Sequence, residues 1–338
     1  MADAPLDTTA LTRYFRQHIP GFEGPLRVEL IHGGRSNLTY LVSDCGSRWV
    51  LRRPPFGLVA PTANDLGREF RVVAALGPTP VPVARAMAFC DDSSVIGAPF
   101  SVVSMVEGRV IRSAADGAAL SAEDADRLTT ALVTGLAAIH AIPYQDVGLG
   151  DLGRPVGYLE RQVNLWRRQW EMVATRTLPG IAELHAKLAA AMPEESGATI
   201  VHGDYRLDNT IIDPGDNGVL AAIVDWEMAT LGDPLADLGL LLVYWDPVTD
   251  PIMADGHAIG ANPGFPPAME VARRYAGVSG RPIDNLEFYL ALGYFKLAVI
   301  AESIHNRFLA DLTVGDGFDT VGAAVAPLVE AGLRVLAP

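Results

Sequence analysis

Between Val201 and Glu227 the chain reads VHGDYRLDNTIIDPGDNGVLAAIVDWE, a stretch that few folds can house. Thr199 to Val201, Thr210 to Ile212 and Val219 to Val224 are rich in β-branched residues and too short for helices. Each therefore reads as a strand, and DPGDNG between the last two supplies a turn. Asp204, Asn209 and Asp225 then fall at strand ends or on the tight loop that joins them. A strand end fixes the backbone while leaving the side chain at the surface. Three oxygen donors placed this way suit a small hard cation such as Mg²⁺, which takes few protein ligands and keeps water and phosphate oxygens. One carboxylate is left to orient a hydroxyl.

The pattern Asp204-Tyr-Arg-Leu-Asp-Asn209 followed by Asp225 resembles the catalytic loop and metal-binding aspartate of protein kinases. His202-Gly203-Asp204 and Asp225-Trp226-Glu227 further resemble the aminoglycoside phosphotransferase and choline kinase-like branch of that superfamily. An isolated His-Gly-Asp is an ordinary turn; the register with Asn209, Asp225 and the strands favours the catalytic reading. The resemblance implies an α+β, two-lobed, protein-kinase-like fold, with a small antiparallel N-lobe over residues 1–107 and a larger, mainly helical C-lobe over residues 108–338. ATP and Mg²⁺ are expected between the lobes, with the γ-phosphoryl group passing to a hydroxyl of a small molecule. In that scheme Asp204 is the catalytic residue, Asn209 and Asp225 hold the metal, and His202 and Asp237 give structural support.

Upstream, Asp7 can cap a helix carrying Leu11, Tyr14, Phe15 and Ile19 at helical spacing. Leu26 to Ile31, Leu38 to Val42 and Arg48 to Arg53 follow as a strand meander. Gly33-Gly34-Arg35-Ser36-Asn37 between the first two lets backbone approach a phosphate, and it resembles the corresponding loop of the family, so Gly34, Ser36 and Asn37 are candidate nucleotide contacts. Strand alternation sets Arg52 on the face of Val50, opposite Trp49 and Leu51. In the helical segment from Asn64 to Leu76, Glu69 sits on the apolar face, where an acid requires a partner. An Arg52–Glu69 pair beneath the phosphates would copy the lysine–glutamate pair of kinases, with arginine's planar fork in place of lysine's point charge. Trp49-Val-Leu-Arg-Arg-Pro-Pro55 resembles the subgroup related to the kinase-like portion of acyl-CoA dehydrogenase fusion proteins, in which arginine is usual. Ala86 to Cys90 and Phe100 to Val106 read as further strands, and the second runs into Glu107-Gly108-Arg109. Its end, with Ser104 and Val106, is the expected hinge that meets an adenine edge through the main chain.

Downstream, Ser121 and Asp124 cap a helix to about His140, read as a structural histidine outside the site. Tyr158 to Thr175 carries Trp166 and Trp170 with Arg161, Arg167 and Arg168, read as a solvated charged face. Ile181 to Met192 makes another helix, and Gly232-Asp-Pro opens an apolar helix through Trp245 with Asp237 expected to satisfy first-turn N–H groups. Residues 247–267 read as an irregular loop bordering the acceptor. Asp284 to Leu309 is a long helix, and FYLALGYFKLAVIAESIHNRFL within it again resembles the acyl-CoA-dehydrogenase-associated subgroup.

Composition narrows the function. The 338 residues suggest about two domains, and 49% hydrophobic content provides for large cores. A net charge of −14 argues against nucleic acid as a partner and is compatible with a cationic substrate, although acidity also serves solubility. The start MADAPLDTTA has no signal-peptide pattern and no apolar run reaches the ~18 residues of a membrane span, so a soluble, cytoplasmic protein without membrane partners is expected. Cys45 and Cys90 are too few for a disulfide framework and show no zinc spacing. The subgroup resemblance points to a hydroxyacyl-CoA-type acceptor. The alternatives are an aminoglycoside O-phosphotransferase and a nucleotide-binding pseudokinase.

Overall fold

The computed structural model describes residues 6–33, 37–54, 61–253, 257–313 and 317–337; Gly34 and Ser36 lie outside them. The chain divides into two compact units, Met1–Glu107 with Ala221–Met228, and Gly108–Leu220 with Ala229–Pro338.

The first unit begins with α1 (Thr8–His18), capped by Asp7, whose carboxylate accepts from the Thr9 and Ala10 N–H groups at 3.0 Å each. Strands β1 (Arg27–Gly33), β2 (Leu38–Ser43) and β3 (Arg48–Arg53) precede α2 (Pro61–Leu76), β4 (Ala86–Cys90) and β5 (Phe100–Ser104). They form an antiparallel sheet in the order β1-β2-β3-β5-β4, so the meander read from the sequence is present. Leu11 and Phe15 of α1 pack on Val42, Trp49, Leu51 and Val102, and the Phe15 and Trp49 rings meet edge-on at 5.5 Å. On β3 the alternation buries Trp49, Leu51 and Arg53 and turns Arg52 to the opposite face. Arg53 is fully buried, with Nη2 donating to the Tyr40 hydroxyl at 3.1 Å and Nη1 to the Pro54 carbonyl at 2.9 Å. In Ala221–Met228, Trp226 is buried and donates its indole N–H to the Ile223 carbonyl.

The second unit is built from helices α3 (Ala114–Ala118), α4 (Ala122–Ala141), α5 (Tyr158–Val173) and α6 (Pro179–Ala190). After them come the strands β6 (Thr199–Val201) and β7 (Thr210–Ile212). The chain passes through β8 (Leu220–Ile223), re-enters the unit with β9 (Thr230–Gly232) antiparallel to β6, and continues as α7 (Pro234–Val243), α8 (Ala268–Ser279), α9 (Leu286–Leu309) and α10 (Val325–Val335). Helices α7 and α9 cross closely at Gly239, where a Cβ would lie 2.5 Å from the Tyr289 carbonyl oxygen. Glu302 of α9, fully buried, accepts from the Thr175 N–H and hydroxyl at 2.7 Å each and pairs with Arg176 at 3.0 Å.

Residues 247–267 are less irregular than expected, since Pro247–Ile252 forms a 3-10 helix that Asp246 caps. The cap of α7 also differs from the expectation. Asp233, immediately before Pro234, accepts from the Leu235 N–H, which leaves Asp237 for another task. No helix among the described residues is long and apolar enough to cross a membrane.

Candidate active site

Asp204 lies on the loop between β6 and β7, and every part of that loop is tied down. Gly203, with φ +84°, makes the bend that glycine adopts without strain. Its N–H donates to Asp237 Oδ1 at 2.8 Å and the His202 N–H to Asp237 Oδ2 at 2.6 Å, so one carboxylate clamps two consecutive amides. The Asp204 N–H donates to His202 Nδ1 at 3.2 Å. Asn209, on a 3-10 turn, donates its amide to the Asp204 carbonyl at 2.8 Å and to Asp204 Oδ2 at 3.0 Å, which leaves the Asn209 carbonyl oxygen available as a ligand. Asp237 and His202 thus each accept from N–H groups of this loop.

Asp237 is itself held by His140. The ring faces it from Nε2 at 3.3 Å, so Nε2 carries the proton and Nδ1 accepts from the Tyr275 hydroxyl at 2.7 Å. His140, set aside from the sequence, thus belongs to the second layer of the brace. Burial pushes the Asp237 carboxyl up, but His140, His202 and the Gly203 amide together bring it below its ordinary value.

Three groups around Asp204 were not foreseen. The Tyr244 hydroxyl, at the end of α7, donates to Asp204 Oδ1 at 2.9 Å. Arg206 lies 3.5 Å from Asp204 Oδ2 and 3.1 Å from Asp208, with its guanidinium 5.0 Å from the Tyr244 ring centroid. Lys296 of α9 donates to the Gly203 carbonyl. Burial pushes Asp204 up, yet Arg206, Lys296, the Tyr244 bond and His202 outweigh it and hold the carboxyl below its ordinary value. Asp204 is thus an ionised carboxylate in a cationic surround. Burial moves Asp208 the other way, upward, against the pull of Arg206.

In the first unit Arg52 pairs with Glu69 and lies 3.5 Å from Asp225 Oδ1, so three residues distant in sequence share one cluster. Asp225 adopts φ +67°, a left-handed conformation that aspartate tolerates better than most side chains. Burial raises the Glu69 carboxyl to about 7; Arg52 opposes this, whereas Asp225 and Glu227 add to it. Arg52 moves up despite its own burial, because Glu69, Asp225 and Glu227 all favour its charge. The rise at Glu69 thus comes first from burial, and the rise at Arg52 from the three acids gathered around its guanidinium. Glu69 Oε2, Arg52 Nε and Asn37 Oδ1 are buried without a hydrogen-bond partner among the described residues. At the end of β5, Ser104 is engaged within the sheet, with its N–H on the Arg85 carbonyl and its hydroxyl accepting from the Arg85 N–H. Val106, beyond the strand, makes no main-chain hydrogen bond among the described residues.

Comparison with known sequences decides the family. The sequence pattern of the phosphotransferase enzyme family (APH) matches residues 27–274. The chain belongs to that family. A solved family structure from Ralstonia eutropha JMP134, assigned as an aminoglycoside phosphotransferase, is 33% identical over 98% of both chains, with a TM-score of 0.85. Aminoglycoside phosphotransferase APH(4)-Ia, solved with AMP-PNP and hygromycin B, shares the fold at 17% identity and a TM-score of 0.62, covering 97% of this chain and 98% of its own. Among curated relatives, acyl-CoA dehydrogenase family member 11 of Rattus norvegicus is 34% identical over 97% of this chain. The chain spans only 43% of that relative's length. The two-lobed α+β architecture and the family expected from the motifs are thereby both present in this phosphotransferase.

Proposed function

We propose that this chain is an ATP- and Mg²⁺-dependent phosphotransferase that moves the γ-phosphoryl group to a hydroxyl of a small molecule. The observation that carries the reading is the Asp204 carboxylate, held ionised by Tyr244, Asn209 and nearby cations on a loop braced by Asp237. Asp204 orients the acceptor hydroxyl and takes its proton as transfer proceeds. Because such transition states are loose, alignment and charge neutralisation account for most of the rate.

The residues present suit a divalent ion. Among the described residues no three His, Cys, Asp or Glu side chains form a ready-made metal cluster. Mg²⁺ takes a few oxygen donors from a chain and the rest from phosphate and water. Asp225 and the Asn209 carbonyl oxygen would be such donors, as the family resemblance implies. When bound, the ion neutralises phosphate charge. In this reading Arg52 contacts the phosphates, Glu69 orients Arg52, and the segment from Ser104 to Val106 meets the base. For the acceptor, the name carried by the acyl-CoA dehydrogenase relatives favours a hydroxyacyl-CoA-type metabolite over an aminoglycoside.

Purified protein with radiolabelled ATP and Mg²⁺ should label a member of a hydroxyacyl-CoA panel. Asp204→Ala should lower turnover by roughly a thousandfold or more while nucleotide affinity stays within a few fold. Labelling of aminoglycosides instead would replace the acceptor assignment. Nucleotide binding without transfer to either panel, or unchanged turnover in Asp204→Ala, would overturn the catalytic reading.

A further inference from the structure

Beside Asp204, two carboxylates share one guanidinium. Arg206 is extended, at φ −160° and ψ 167°, before the 3-10 turn Leu207–Asn209. Leu207 is buried, while the side chains of Asp204, Arg206 and Asp208 stay partly exposed. The guanidinium is divided unevenly between the acids. Its Nη1 stands 3.1 Å from Asp208 Oδ2, whereas Nε stands 3.5 Å from Asp204 Oδ2, outside the roughly 2.7–3.2 Å of an N–H···O bond. The Tyr244 ring, its centroid 5.0 Å from the guanidinium carbon, backs the same group.

An ionised carboxylate offers about four lone-pair sites. On Asp204 the Tyr244 hydroxyl takes one at Oδ1 and the Asn209 amide one at Oδ2, so about one site remains on each oxygen. An acceptor hydroxyl needs one of the two. A guanidinium lying side-on would take both, because its parallel N–H groups match the two oxygens of a carboxylate. Nε is only about half an ångström short of bonding distance, so this fork is close to closing on Asp204. Asp208 pulls the guanidinium the other way, from its nearer position at Nη1.

We infer that Asp208 is a positioning residue whose carboxylate holds the Arg206 guanidinium off Asp204 and so keeps an Asp204 oxygen open to the acceptor hydroxyl. The inference rests on the role proposed for Asp204. With Asp208 in place, Arg206 lends its charge to the neighbourhood of Asp204 without filling the remaining lone-pair sites. A neutral side chain at position 208 releases the fork, and the same cation then blocks the carboxylate.

The first test is a crystal structure of the Asp208→Asn chain, in which Arg206 should donate to both Asp204 oxygens within about 3.2 Å. A guanidinium that stays 3.5 Å or more from Asp204 overturns the inference. The second test is hydrolysis of ATP with Mg²⁺, water standing in for the acceptor. Asp208→Asn should lower turnover roughly tenfold or more while nucleotide affinity stays within about twofold, and Asp208→Glu, which keeps the charge, should stay within about threefold of wild type. In a chain already carrying Arg206→Met, Asp208→Asn should change turnover by less than about twofold, because no fork is left to release. A purely structural Asp208 would cost the same in both backgrounds, and that result overturns the inference too. Asp208→Ser serves in both tests where the asparagine variant folds poorly. A wild-type chain without ATP turnover would count against the proposed function instead, while the Arg206–Asp204 distance still decides the part played by Asp208.

Discussion

At the scale of single residues, Tyr244 and Glu69 make the sharpest predictions. Tyr244→Phe removes one donor to the Asp204 carboxylate and little else from the site. A hydrogen bond to a charged group contributes roughly 1.5–3 kcal/mol, so turnover should fall about ten- to a hundredfold while nucleotide affinity is kept. The acid limb of the pH–rate profile should also move to higher pH, since the Tyr244 bond is among the influences that lower Asp204. Glu69 works in the opposite direction. Its folded value of about 7 exceeds the ordinary 4.5, so the folded chain holds that proton more tightly than the unfolded chain does. The resulting stabilisation is full below about pH 4.5 and is lost as pH rises through 7. The melting-temperature difference between wild type and Glu69→Gln, followed by calorimetry, should shift against the wild type across that window. A flat difference would show that Glu69 is not shielded from water in this way. Asp204, Asn209, Arg52 and Glu69 were legible because spacing and alternation are local properties. Tyr244 and Lys296 reach the same loop from 40 and 93 positions away, and nothing local announces a contact of that span.

At the scale of elements, the loop from His202 to Asn209 depends on the fit of α7 against α9, which hold it through Asp237 and Lys296. An alanine at Gly239 would bring its Cβ to 2.5 Å from the Tyr289 carbonyl oxygen, which is backbone and cannot swing aside. Gly239→Ala should therefore cost about 1–3 kcal/mol and lower the melting temperature by several degrees. Because Asp237 lies on the same helix, activity should fall further than stability alone predicts, as the ratio of specific activity to folded fraction will show. Helix and strand identities were legible from period and β-branching. The cap of α7 was misread because Asp233 and Asp237 are both acids near one helix start. The Pro234 at the first helical position marks Asp233 as the cap, and Asp237 is then turned toward the Gly203 amide. Likewise the long helix starts at Leu286, after Asn285 in a left-handed conformation, two residues later than expected.

At the scale of the whole molecule, ligand binding should register as stability. A ligand that binds the folded state alone, at a hundred times its dissociation constant, stabilises by about 2.7 kcal/mol. Mg²⁺ with AMP-PNP should accordingly raise the melting temperature by several degrees, and Asp225→Asn should remove most of that rise. Asparagine keeps the left-handed backbone comfortable, so the variant should fold normally in the absence of ligand. An undiminished shift would take Asp225 out of the metal site. The family could be recognised from the His202 to Glu227 motifs, because their residues sit at fixed spacings along one stretch. The acceptor could not, because the groups beside Asp204 that those motifs omit, Tyr244 at the end of α7 and Lys296 of α9, are separated from them by long intervals of chain.

The division of the chain has a further consequence for biosynthesis. The first unit is assembled from Met1–Glu107 and the late segment Ala221–Met228, so its sheet emerges from the ribosome long before its last piece. Translation at about 5–20 residues per second delays that piece by on the order of ten seconds. Throughout that interval the nascent N-terminal half carries Arg52 without Asp225 and lacks the Trp226 ring. A gene fragment ending at codon 107 would hold it permanently in that unfinished state.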